Sequence, residues 1–135
     1  MAMRRFLFIF AVIASSGTAA AQEDLVAAGE KVFAKCQTCH VIGPPTKYVK
    51  SWPHLNDLFG RKPGGLPDYK KYSEALVAFG QDKVWDEATL TTFLRDPQGV
   101  VEGTKMTILG IKNDSEIQAL LAYPATFDPD GMAPQ

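Results

Sequence analysis

The residues that could do chemistry begin with Cys36-Gln37-Thr38-Cys39-His40, which holds both cysteines and one of the two histidines of the chain. A CxxCH run is the attachment signature of a c-type haem: each thiol adds to one vinyl group, and the adjacent imidazole becomes an iron ligand. Two intervening residues let both sulfurs reach opposite edges of one face of the macrocycle, and the histidine is thereby held beneath the iron. Other uses of these side chains fit less well. A disulfide within CxxC is strained, and structural bridges join distant segments. A thioredoxin-type pair needs a βαβ context, which is lacking. A zinc site recruiting Cys36, Cys39, His40 and His54 needs tetrahedral geometry from the adjacent residues Cys39 and His40.

A helix is expected to lead into this motif. From Asp24 to Cys36, Leu25, Val26, Gly29, Val32 and Phe33 recur at helical spacing. Glycine inside a helix costs about 1 kcal/mol relative to alanine, so Gly29 points to a second helix crossing closely there. The last helix is the natural partner. Asn113-Asp114-Ser115-Glu116 is rich in N-cap residues, with Asn113 and Glu116 at capping-box spacing; Ile117, Leu120 and Leu121 follow on one face, and Pro124 ends the run. Between Val41 and Pro67, proline and glycine dominate and periodicity is lost. A loop this long needs an organiser, and a covalently held haem would serve. Short helices are expected over Ser73 to Phe79 and Asp86 to Arg95, the second stopped by Asp96-Pro97. A non-helical stretch, Glu102 to Gly110, carries Met106 at its centre.

Residues 1–21 read as a secretory signal that is removed: Arg4-Arg5, the apolar run Phe6 to Ala14, and small residues ending at Ala21. The apolar run is far short of the roughly 20 residues a spanning helix needs, so no membrane span is expected after cleavage. Residues 22–135 are expected to form one domain. With 14 Lys and Arg against 15 Asp and Glu, two of those arginines in the leader, the mature chain carries a small net negative charge. The distribution is uneven: Lys31 to Lys71 holds eight bases and two acids. A segregated field of this kind steers a docking partner even when net charge is small. An acidic chain without a reading motif excludes nucleic acid as a partner.

Taken in order, CxxCH, Pro53-His54-Leu55, Phe59-Gly60-Arg61, Tyr72-Ser73, Trp85 to Leu90, Asp96-Pro97 and Gly103-Thr104-Lys105-Met106 resemble the class I c-type cytochromes, the group of cytochrome c2 and mitochondrial cytochrome c. The resemblance runs from about Gly29 to Tyr123. It implies an all-α cytochrome c fold, about four to five short helices wrapped around one covalently attached haem c, with long loops. It also implies thioether links at Cys36 and Cys39, axial ligation by His40 and Met106, and a Pro53 carbonyl hydrogen-bonded to the His40 ring. Arg61, Tyr72 and Trp85 would hold the propionates with Thr104 beside them, and Lys35 and Lys105 would rim the haem edge where redox partner proteins dock. The function it implies is one-electron transfer by a monomeric periplasmic carrier, not an enzyme.

The chain departs from the family pattern in places. Phe93 stands where many relatives have a tyrosine, Leu76 where relatives have asparagine, Glu102 at a common proline, and Trp52 at the glycine before Pro53. Residues 125–135 form an irregular tail in place of a longer last helix. Two other readings stay open on the sequence: a haem enzyme or ligand sensor with a labile Met106, and a docked subunit of a larger oxidoreductase, which a sizeable exposed apolar patch would mark.

Overall fold

The computed structural model describes residues 17–44 and 52–133. Among them are five α-helices and no strand: α1 (Gly17–Phe33), α2 (Glu74–Phe79), α3 (Glu87–Arg95), α4 (Pro97–Val100) and α5 (Asp114–Ala122), followed by a 3-10 turn at Pro124–Thr126.

The frame is the crossing of α1 and α5. Gly29 and Phe33 are the buried residues of α1; Ile117, Ala119, Leu120 and Leu121 are those of α5. A Cβ on Gly29 would lie 2.0 Å from the Ala119 carbonyl oxygen and 2.9 Å from Cβ of Tyr123. The two backbones therefore touch, as the glycine's position inside a helix suggested. Phe33 closes the crossing below, its ring 5.4 Å from that of Tyr123. α1 begins at Gly17 rather than at Asp24 and ends at Phe33 rather than at Cys36. Its first turns, residues 17–24, are exposed throughout. Strong helix formers such as Ala19-Ala20-Ala21 extend a helix backward without tertiary support.

Three of the four capped helices start where their polar residues predict. Ser73 accepts a bond from Leu76 N, Asp86 from Thr89 N, and Asn113 from both Ser115 N and Glu116 N. Only the first half of the capping box at Asn113 forms, because the Glu116 carboxylate turns instead to Lys35, 2.9 Å away. Asp96-Pro97 stops α3 but also starts α4: Asp96 accepts from Gly99 N at 3.0 Å, and Pro97 occupies the first turn. An aspartate cap with proline just inside is a helix start as much as a stop.

The described part of the long loop is held by protein groups. Asn56, 1% exposed, accepts from Gly43 N at 2.8 Å and donates to Gly43 O at 3.3 Å. Gly60 N donates to Trp85 O, and Trp85 N to Arg61 O, stitching the loop to the entrance of α3. The C-terminal tail returns to the same place. Asp57 N donates to Phe127 O at 3.1 Å, and Gly131 lies so close to Gly43 and Asn56 that a Cβ would stand 2.5 Å from the Gly43 carbonyl carbon. Of the expected tail 125–135, residues 125–126 lie in the 3-10 turn, residues 127–133 carry no helix or strand and dock on the loop, and residues 134–135 lie outside the described residues. Of the eight bases in the expected positive stretch, Lys47 and Lys50 lie outside the described residues.

Candidate haem site

α1 hands over to the CxxCH segment through a run of turns. His40 N donates to Cys36 O at 2.8 Å and Cys39 N to the same oxygen at 3.0 Å. The motif is thus one helical turn, which sets Cys36, Cys39 and His40 on neighbouring positions of one face. Both cysteines are free and half-buried. Burial pushes the Cys36 thiol up, against the opposing pull of Lys35.

The imidazole of His40 is fixed from behind. Its Nδ1 lies 2.8 Å from the Pro53 carbonyl oxygen. A carbonyl only accepts, so Nδ1 carries the proton and Nε2 keeps its lone pair. Burial, the larger effect, and the Arg61 charge hold the ring below its ordinary pKa of 6.5, against the Pro53 bond, so the neutral, ligating form prevails. Trp52 stands beside it, ring centroids 6.3 Å apart.

His40 and Cys36 line a cavity that is partly open to solvent. Met106 enters it from the loop after α4, and Phe33, Leu90, Phe93, Leu94 and Leu120 supply apolar wall. Cys39 shares the turn but is not among the lining side chains. No group of three or more His, Cys, Asp and Glu that could hold a bare metal ion comes together among the described residues. A nitrogen donor, a thioether and a thiol on a largely apolar slot fit a haem c.

Polar groups gather on one side. Arg61 lines the cavity, and its guanidinium donates to Asn56 O and His54 O, both at 3.1 Å. It takes part in none of the ion pairs among the described residues, and burial lowers its pKa. A half-buried cation that, among the described residues, meets carbonyls and no carboxylate partner is suited to an anion. Tyr72 and Trp85 line the same cavity; burial pushes the Tyr72 phenol up, with the Arg61 charge opposing. Trp85, 7% exposed, packs on Phe93 at 5.1 Å and on Phe79 at 6.2 Å. Thr104 also lines the cavity, but its hydroxyl accepts from Met106 N at 3.3 Å and so braces its own loop.

Of the two lysines expected at the haem edge, Lys105 lines the cavity and Lys35 does not, and both are engaged. Lys35 pairs with Glu116, and Lys105 Nζ donates to Lys71 O at 2.6 Å across the cavity mouth. His54, which had no expected role, is 8% exposed with no partner for Nδ1. Sequence reasoning missed Asn56 and Gln98. Neither carries a motif; Gln98 directly after Pro97 was the only local hint, since it falls in the first turn of α4.

No protein-family model matches the chain. Single proteins do. Cytochrome c2 of Afifella marina is 44% identical over 110 residues, 81% of this chain and 87% of that protein. Cytochrome c-550 of Bradyrhizobium diazoefficiens is 46% identical over 109 residues, 81% and 77% of the two chains. Cytochrome c2 of Blastochloris viridis is 40% identical over 129 residues, 96% of this chain and 98% of the other. Among solved structures, cytochrome cH from Methylobacterium extorquens superposes with a TM-score of 0.67 at 38% identity, covering 75% of this chain and 97% of its own. The chain therefore belongs to the class I c-type cytochromes, electron carriers rather than enzymes, with one covalently attached haem c.

Proposed function

We propose that the protein is a periplasmic one-electron shuttle whose iron is held by His40 and Met106 and whose haem is anchored through Cys36 and Cys39. What supports this reading is that His40 and Met106, far apart in sequence, line one largely apolar cavity, with His40 Nδ1 already committed to Pro53. A haem c seated there supplies exchange of one electron between ferric and ferrous iron. Held by the His40 imidazole and the Met106 thioether, the iron would be closed to other ligands, and the soft thioether together with the apolar walls would raise the potential. The chain's residues do the rest: Pro53 fixes the imidazole, Phe93 and Leu94 exclude water, and Arg61, Tyr72 and Trp85 receive the propionates.

Export follows from residues 1–21, whose leader pattern implies removal and release of the domain 22–135 as a monomer outside the cytoplasm. No helix among the described residues is long and apolar enough to cross a membrane. Redox partner proteins of a respiratory or photosynthetic chain dock at the haem edge near Lys35 and Lys105, in brief, charge-steered encounters.

The test is the absorption spectrum of protein matured in a periplasm with haem-attachment machinery, oxidised, reduced, and reduced under carbon monoxide. A low-spin c-type spectrum unchanged by carbon monoxide is expected. Rapid carbon monoxide binding would mean an open or labile sixth position and would overturn the closed-carrier reading in favour of a ligand-binding role.

A further inference from the structure

Gln98 is exposed on the four-residue helix α4, away from the cavity lining. Its side-chain nitrogen nevertheless bridges two main-chain carbonyls, Thr104 O at 2.9 Å and Met106 O at 3.0 Å. The Met106 N–H is taken by the Thr104 hydroxyl, and Thr104 N by Val101 O at 2.9 Å. Both polar groups of the Met106 peptide are therefore satisfied on the α4 side of the loop. On the other side the chain runs through Ile108, 40% exposed, and Leu109, 95% exposed, before Ile111 N rejoins Leu94 O at 2.8 Å. Residues 107–109 are all exposed, and none of their backbone groups is bonded among the described residues. Met106 thus sits at the boundary between a clamped and an unclamped half-loop, and one amide holds that boundary.

We propose that Gln98 is a positioning residue for Met106, setting through its paired hydrogen bonds how readily the thioether leaves the iron. This rests on the reading of Met106 as an axial ligand. An amide NH2 has one hydrogen for each carbonyl; a carboxylate of the same shape has none and repels both oxygens. Loss of the clamp lowers the cost of swinging Met106 outward while leaving the cavity walls and the His40 side untouched.

The experiment is a titration of the oxidised holoprotein with imidazole, which competes with the thioether, followed through the red absorption band of thioether-bound ferric haem. In Gln98→Glu and Gln98→Leu the imidazole affinity is expected to rise about tenfold, the equivalent of one to two ordinary hydrogen bonds. Gln81→Glu, which places the same charge on another exposed glutamine, is expected to match the unsubstituted protein. Carbon monoxide binding to the reduced protein should accelerate in the same two Gln98 variants. Equal imidazole affinity in both Gln98 variants and the parent, with a red band that disappears in Met106→Ala, would overturn the clamp and leave the ligand standing. A red band that survives in Met106→Ala would overturn the ligand assignment, and the clamp with it.

Discussion

A Cβ at Gly29 would stand 2.0 Å from the carbonyl oxygen of Ala119, so the first and last helices of the protein meet main chain to main chain. Replacing Gly29 by alanine has two opposed effects. Helix propensity favours alanine by about 1 kcal/mol, whereas overpacking against a rigid backbone costs about 1–3 kcal/mol or more. The contact is with peptide atoms and not with a flexible side chain, so the clash wins. Gly29→Ala is expected to lose about 2 kcal/mol of unfolding free energy in denaturant titration of the holoprotein, with the visible spectrum unchanged. A stabilised variant would refute the crossing.

Arg61 brings a half-buried positive charge to the cavity lining. Such a charge favours the reduced state, in which the iron carries one positive charge fewer. Removing it in Arg61→Met is expected to lower the reduction potential by tens of millivolts, an interaction on the order of 1 kcal/mol at an effective dielectric of about 20. Arg61→Lys, which keeps the charge but not the two-pronged grip on His54 O and Asn56 O, should shift it less. A redox titration distinguishes the two; an unchanged potential in Arg61→Met would place the charge out of the site's reach.

His54 gives the holoprotein an acid sensitivity. Burial first, and the Arg61 charge second, hold its folded pKa below 6.5, with Asp68 opposing. The unfolded chain therefore takes the proton first. Stability is flat above the ordinary value of 6.5 and falls as pH drops through it toward the folded pKa. The slope there reaches at most about 1.4 kcal/mol per pH unit for one proton. His54→Gln is expected to flatten this part of the curve in thermal unfolding between neutral and mildly acid pH. An identical profile in the variant would assign the effect elsewhere.

Lys35 is paired with Glu116 across the junction of α1 and α5, and both side chains remain accessible. The pair itself contributes little, within about 1 kcal/mol, but it masks a charge that docking would use. Glu116→Gln is expected to leave stability nearly unchanged and to speed association with an anionic redox partner a few-fold at low ionic strength. Stopped-flow kinetics should show that gain vanishing as salt rises.

Local chemistry was legible in the sequence. Cys36 to His40 needs only one helical turn, and Ser73, Asp86 and Asn113 each act on residues two or three positions away, so spacing alone locates them. The Gly29 crossing was legible because a helix tolerates glycine poorly without a reason. The missed features depend on partners far along the chain. Asn56 serves Gly43, thirteen residues back, and Gln98 serves Thr104 and Met106 from a helix too short to show periodicity. Apart from the Pro97 before Gln98, nothing near Asn56 or Gln98 distinguishes them from ordinary surface amides. Asp96-Pro97 was half legible: its stop signal for α3 was plain, but the same two residues also cap α4.

The docking of Gly131 and Phe127 onto Gly43, Asn56 and Asp57 ties the tail to the two flanks of Pro53. The carbonyl that anchors His40 therefore lies in a segment pinned from both sides by chain more than seventy residues downstream. The tail is thus a remote brace for the imidazole's orientation, acting through main chain and without touching the ring.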